Sequence, residues 1–145
     1  MPTCVSPLSS RLHHTGIVVS SIKESWDDWA ASLGAVWRSD VFHDPIQRVR
    51  VAFLGSGRPG EAQVELIEPN GDKSPVARLA AAGGGLHHLC YEVDDFEGEI
   101  LRQKAVGSTL IRSPQPAVAF RGRRIAWFYT KTRMPIEILE APAPR

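Results

Sequence analysis

The sequence predicts an α+β fold made of two copies of one βαβββ module, and three observations carry that prediction. A strand, a capped helix and three further β-type stretches occur in that order twice along the chain. Landmarks in the two halves keep a nearly constant offset: His14 and His88 stand 74 residues apart, Val19 and Val93 74, Gly34 and Gly107 73, and Glu65 and Glu137 72. Each half also carries a histidine on its first strand and a glutamate on its last.

The first element is Leu12-His13-His14-Thr15-Gly16-Ile17-Val18-Val19, a β-type run ending at Ser20-Ser21. Ser21 and Glu24 have capping-box spacing. The helix they open sets Ile22, Trp26, Trp29 and Leu33 on one stripe, which reads as core rather than a ligand-binding aromatic box, and Gly34 stands where a left-handed C-cap belongs. Three β-type stretches follow at 35–42, 48–54 and 63–68, separated by turn-formers such as Asp44-Pro45. After the turn Pro69-Asn70-Gly71-Asp72, residues 75–82 read as a short linker helix, and Gly83-Gly84-Gly85 breaks the chain between modules.

The second half repeats this order. Leu86 to Val93 is a strand, Asp94 or Asp95 caps a helix carrying Phe96, Ile100 and Leu101, and Gly107 supplies its C-cap. Strands are expected near 109–112, 124–130 and 135–140. The domain reading is a disordered tail over 1–10 and one domain over 11–141, with module one at about 11–70, a linker at about 71–84 and module two at about 85–141.

Composition narrows the function. The 145 residues carry 17 basic against 16 acidic groups, so the chain lacks the basic surplus of a nucleic-acid binder. No apolar run approaches a membrane span, and no signal-peptide pattern opens the chain. The two cysteines, Cys4 and Cys90, give no disulfide framework, and a cytoplasmic location is expected.

Strand alternation selects the candidate site. Val64 and Leu66 face a helix while Glu65 does not, and Ile136 and Ile138 do so while Glu137 does not. His14 and His88 belong to the same concave side, so all four side chains point into one cup. Imidazole nitrogens with carboxylate oxygens suit one divalent ion such as Zn, Co, Ni, Mn or Fe, with positions left for water or substrate. His13 and His87 point the other way by the same alternation and read as solvated, interfacial or second-layer groups. Cys90 reads as packing. Arg121, Arg123 and Arg124 form the strongest basic cluster and are candidates for holding a phosphate or a CoA arm.

His14-x-Gly16-Ile17-x-Val19, Val64-Glu65-Leu66, Ser74-Pro75-Val76-Ala77, Gly85-Leu86-His87-His88, Glu92-Val93-Asp94-Asp95 and Pro135-Ile136-Glu137-Ile138 together resemble the vicinal oxygen chelate superfamily. Within it they most resemble the methylmalonyl-CoA epimerase branch, over roughly residues 11 to 141. The resemblance implies a U-shaped, eight-stranded mixed sheet around a divalent ion held by His14, Glu65, His88 and Glu137. It also implies a metal-dependent isomerase or lyase that enolises a carbonyl or acyl-thioester substrate, with Glu137 as catalytic carboxylate. Epimerases of this branch carry a second acidic residue shortly before a Gln-Gly-Val-Arg-type segment; here Pro45 or Ile46 stands there, and Asp44 is the nearest substitute. Glyoxalase I-type lactoylglutathione lyase chemistry and a non-catalytic small-molecule binding or resistance protein are the alternatives. Free sheet edges lead us to expect a homodimer.

Overall fold

The computed structural model of the chain describes residues 10–144. The expected tail, including Cys4, lies outside these residues apart from Ser10, which is already in a strand. Module one contains β1 (Ser10–Val18), α1 (Ile22–Leu33), β2 (Trp37–Arg38), β3 (Phe42–Asp44), β4 (Val49–Gly55) and β5 (Gln63–Pro69). The short α2 (Ala77–Ala81) connects it to β6 (Gly85–Val93), α3 (Phe96–Ala105), β7 (Thr109–Pro116), a 3-10 turn (Val118–Phe120), β8 (Arg124–Tyr129) and β9 (Pro135–Glu140).

All strands join one mixed sheet in the order β2-β4-β5-β1-β6-β9-β8-β7, with β3 also paired to β4. β2 and β3 share one edge position. Between them Phe53 N–H donates to Ser39 Oγ at 2.8 Å and Ser39 N–H to the Phe53 carbonyl at 3.0 Å, so a side chain replaces one ladder partner. The nine segments therefore fill eight positions. β1 pairs with β5, and β6 with β9, in parallel; every other pair, including the central β1–β6, is antiparallel.

Caps act where the sequence placed them. Ser21 Oγ accepts from Glu24 N–H at 3.2 Å, and Gly34 ends α1 with φ 64°. Asp95 rather than Asp94 caps α3, accepting from Gly98 N–H at 3.0 Å. Asp95→Ala removes that acceptor and is expected to lower stability by about 1 kcal/mol, read as a shift of the urea midpoint at constant slope.

Alternation splits the apolar residues into three clusters. Val19, Ile22, Ala52, Leu54 and Leu66 pack under α1, joined by the half-buried Trp26 and Trp29. Val93, Phe96, Ile100, Ala126, Phe128 and Ile138 pack under α3. The third cluster draws Val18, Phe53, Ile67, Cys90, Phe120 and Leu139 from both modules onto the inner face. Two expected core positions are corrected. Leu33 is 46% exposed, left in solvent in the last turn of α1, and Leu101 is 68% exposed because it lies about 100° around the helix from the buried Ile100. No helix among the described residues is long and apolar enough to cross a membrane.

Candidate metal centre

Two neighbouring rows of the sheet build the site. In one, Glu65 of β5 pairs with Gly16 of β1, which pairs with His88 of β6. In the other, Glu137 of β9 pairs with Cys90 of β6, which pairs with His14 of β1. The repeat converts one row into the other. Each has a histidine and a glutamate flanking a small residue, so the long side chains lean together over a low floor.

The four donor groups are buried: His14 is 0% exposed, His88 1%, Glu137 3% and Glu65 6%. His14 Nε2 lies 3.1 Å from His88 Nε2, 3.2 Å from Glu137 Oε1 and 3.6 Å from Glu65 Oε1. His88 Nε2 lies 3.5 Å from Glu65 Oε1 and 3.6 Å from Glu137 Oε1. Donors at about 2.0–2.2 Å from one ion, separated by roughly 90–109°, stand roughly 3–3.5 Å from one another, so His14, His88 and Glu137 form a group able to hold a shared cation, with Glu65 Oε1 at its edge, 3.5–3.6 Å from both imidazoles. Glu137 Oε1 supplies a second test: it is buried and has no hydrogen-bond partner among the described residues. A buried, orphaned acceptor is costly, and a cation at this point satisfies it.

β-Bulges correct the direction expected for His13 and His87 and leave the second-layer alternative standing. Along β1 the pairing steps from Leu12 to His14, skipping His13, and along β6 it steps from Leu86 to His88, skipping His87. The extra residue breaks the alternation. His13 Nδ1 consequently lies 2.8 Å from His14 Nδ1, and His87 Nδ1 lies 2.8 Å from His88 Nδ1. Both belong to the layer directly behind the candidate ligands.

Burial dominates the electrostatics. It lowers His13 and His87 to about 4, helped by the adjacent His14 and His88, so both outer imidazoles are neutral at pH 7. It also lowers His14, against the opposing pull of Glu137. The Glu65 carboxyl is raised by burial, then by Glu137 and Asp44. Burial pushes Glu137 the same way, but the imidazoles of His14 and His88 outweigh it and hold that carboxyl below its usual range. Cys90 is buried and its thiol is raised by burial and by Glu137, which fits packing rather than nucleophilic chemistry.

A cavity of about 390 Å³ opens onto Glu65, His88 and Glu137 and is walled mainly by apolar groups, among them Val51, Ile67, Val76, Phe120 and Trp127. Asp44 is 4% exposed on its wall. Its Oδ1 accepts from Ile46 N–H and Gln47 N–H, each at 3.0 Å, and its Oδ2 accepts from Gln47 Nε2 at 2.8 Å. Gln47 Oε1 in turn accepts from Trp127 Nε1 at 3.0 Å, and the Trp127 ring stands edge-on to His88 with centroids 4.5 Å apart. A polar chain thus runs from Asp44 in module one to the wall beside the centre in module two.

A model of the Glyoxalase/Bleomycin resistance protein/Dioxygenase superfamily matches residues 13–127. The chain belongs to this superfamily. Among its relatives in the superfamily is an ethylmalonyl-CoA/methylmalonyl-CoA epimerase of Cereibacter sphaeroides, 28% identical over 123 residues, covering 83% of this chain and 89% of the relative. A crystal structure of methylmalonyl-CoA epimerase from Mycobacterium tuberculosis superposes with a TM-score of 0.79 at 27% identity, covering 97% of this chain and 92% of that one. A hypothetical protein from Bacillus halodurans reaches a TM-score of 0.80 at 30% identity, covering 94% and 98%. The chain is therefore a superfamily member similar to methylmalonyl-CoA epimerases.

The arginine cluster does not converge on the cavity of this superfamily member. Arg123 donates to Glu92 Oε2 at 3.0 Å, and the same carboxylate accepts from Arg11 Nη2 at 2.8 Å. Arg124 is engaged with Glu140 and Glu97, while Arg121 is exposed in a left-handed turn. None of the three lines the cavity. Its lining arginine is Arg112, half-buried, with a 3.4 Å contact to the Ile46 carbonyl and no carboxylate partner among the described residues. Sequence reading missed Arg112, Gln47 and Trp127. The available signal was the isolated Arg112 in an otherwise uncharged β7.

Proposed function

We propose that the protein is a divalent-metal-dependent epimerase or isomerase that enolises a carbonyl substrate, most simply a 2-substituted acyl-CoA. The observation that carries this reading is the buried Glu137 Oε1, without a hydrogen-bond partner among the described residues, which lies beside two imidazole nitrogens on a residue that lines the cavity. His14, Glu65, His88 and Glu137 would hold the ion. A divalent ion in that place supplies Lewis acidity, which lowers the cost of negative charge on a carbonyl oxygen.

The chain's own residues supply the rest. Glu137 is positioned to take the proton next to the carbonyl, since a base must stand within hydrogen-bond reach of the carbon acid. Asp44, anchored by three hydrogen bonds on another part of the wall, is the second proton-handling group, which epimerisation needs to return a proton to the opposite face. Apolar walls exclude water around the enolate. Arg112, which has no carboxylate partner among the described residues, offers its guanidinium to an anionic group on the substrate. The family relationship supports the acyl-CoA class, because two of the three relatives reported above are epimerases of substituted malonyl-CoA thioesters.

The protein as purified is expected to hold about one divalent ion per chain by elemental analysis, and His14→Ala to lose most of it. With metal bound, mass spectrometry should detect deuterium entering the 2-position of methylmalonyl-CoA or a homologous thioester in deuterated buffer. Metal without exchange across a panel of 2-substituted acyl-CoAs would reject the enolisation reading. Absence of any ion would return the protein to the class of binding proteins.

A further inference from the structure

The central strands carry the same irregularity twice. β1 and β6 are antiparallel neighbours, and each inserts one unpaired residue immediately before its candidate ligand, His13 before His14 and His87 before His88. A regular strand would turn these extra side chains to the opposite face. The bulges turn them back, and both extra residues are histidines.

The two pairs have almost the same geometry. Nδ1 faces Nδ1 at 2.8 Å in each, with the rings nearly perpendicular at 81° and 88° and centroids 5.1 and 5.0 Å apart. A neutral imidazole has one N–H donor and one acceptor nitrogen. In each inner histidine Nε2 points at the other imidazole and the carboxylates, so a cation there requires the lone pair on Nε2 and the proton on Nδ1. That proton then has an acceptor in place: Nδ1 of the bulged neighbour, provided the neighbour carries its own proton on Nε2. Packing alone would be served by any apolar side chain, whereas an acceptor in this position in both modules matches the coordination chemistry.

We propose that His13 and His87 are positioning residues that fix His14 and His88 in the Nδ1–H tautomer and thereby present both Nε2 lone pairs to the ion. The inference rests on the metal-binding reading above. It adds the source of ligand orientation: the bulges give each inner imidazole an outer imidazole as its acceptor. The two positions differ in one respect, since His87 lines the cavity while His13 packs against Phe53 and Phe120. His13 therefore gives the cleaner test.

His13→Phe keeps an aromatic ring and removes the acceptor; His13→Gln restores an acceptor oxygen. Zinc affinity measured by chelator competition should fall about 10- to 100-fold in His13→Phe and recover most of the way in His13→Gln, with unchanged circular dichroism in both. In the zinc-loaded, unsubstituted protein, nitrogen NMR should show scalar coupling across both Nδ1–H···Nδ1 bonds and place the protons of His13 and His87 on Nε2. Wild-type affinity in a folded His13→Phe, or zinc binding without the coupling, overturns the proposal and leaves the metal site standing. If His13→Phe does not fold, the coupling measurement decides. A protein that binds no zinc overturns this proposal together with the metal reading.

Discussion

Glu137→Gln is expected to reduce turnover on the substrate, or deuterium exchange into it, by a factor on the order of 10² or more, the usual range for losing a general base. Metal content should fall only in part, because the amide keeps size and an oxygen donor while losing basicity. Glu65 occupies the equivalent place in module one, so the repeat alone cannot assign the proton. The surroundings differ. Across the sheet from Glu137 stands Trp127, whose indole holds Gln47 and through it Asp44, whereas Glu65 faces Phe53. Asp44 thus bonds through Gln47 to the cross-strand neighbour of Glu137, while its charge acts on Glu65. Parallel measurements on Glu65→Gln decide the matter: near wild-type turnover in Glu137→Gln with abolished turnover in Glu65→Gln would transfer the proton to the first module.

Gly16→Ala is expected to weaken ion binding by at least about 10-fold without replacing a ligand. Gly16 is the floor between Glu65 and His88, and a β-carbon there would overlap the His88 ring at Cε1 and Nδ1 and lie 2.9 Å from Nε2. The ring cannot step aside, since Trp127 stands against it and His88 is 1% exposed. Nor can the backbone yield, because β1 is hydrogen-bonded on both edges at the centre of the sheet. Overpacking of this kind costs about 1–3 kcal/mol. Zinc affinity should fall by at least the 10-fold typical of a disturbed ligand environment, roughly 10- to 100-fold or more. Cys90 is the internal control: it occupies the equivalent floor position beneath His14, and Cys90→Ala makes that floor lower, so the ion should be retained. Wild-type zinc affinity in Gly16→Ala would mean that His88 does not rest on Gly16.

Much of the fold could be read along the chain because the relevant signals are local and periodic. The period of two in β5 and β9 separated Glu65 and Glu137 from the apolar neighbours that pack under α1 and α3, and the structure keeps that separation. Caps at Ser21 and Asp95 depend on side chains reaching backbone groups three residues away, again a local matter. The apolar stripes were less well defined. Leu33 and Leu101 have suitable spacing or composition, but Leu33 falls in the last turn of α1 and Leu101 lies about 100° around α3 from the buried Ile100.

By itself the sequence determined the duplicated module, the caps of α1 and the convergence of His14, Glu65, His88 and Glu137 on one face, because repetition, capping and strand alternation require no knowledge of which strands become neighbours. Only the tertiary structure decided the rest. It turned His13 and His87 inward, because a bulge is a property of the register between β1 and β6 and not of either strand alone. It committed Arg123 and Arg124 to Glu92, Glu140 and Glu97, partners 16 to 31 residues away that neutralise them outside the cavity. It also placed Arg112 at the cavity and linked Gln47 to Trp127 across 80 residues, since a wall between two modules exists only once both have closed around it.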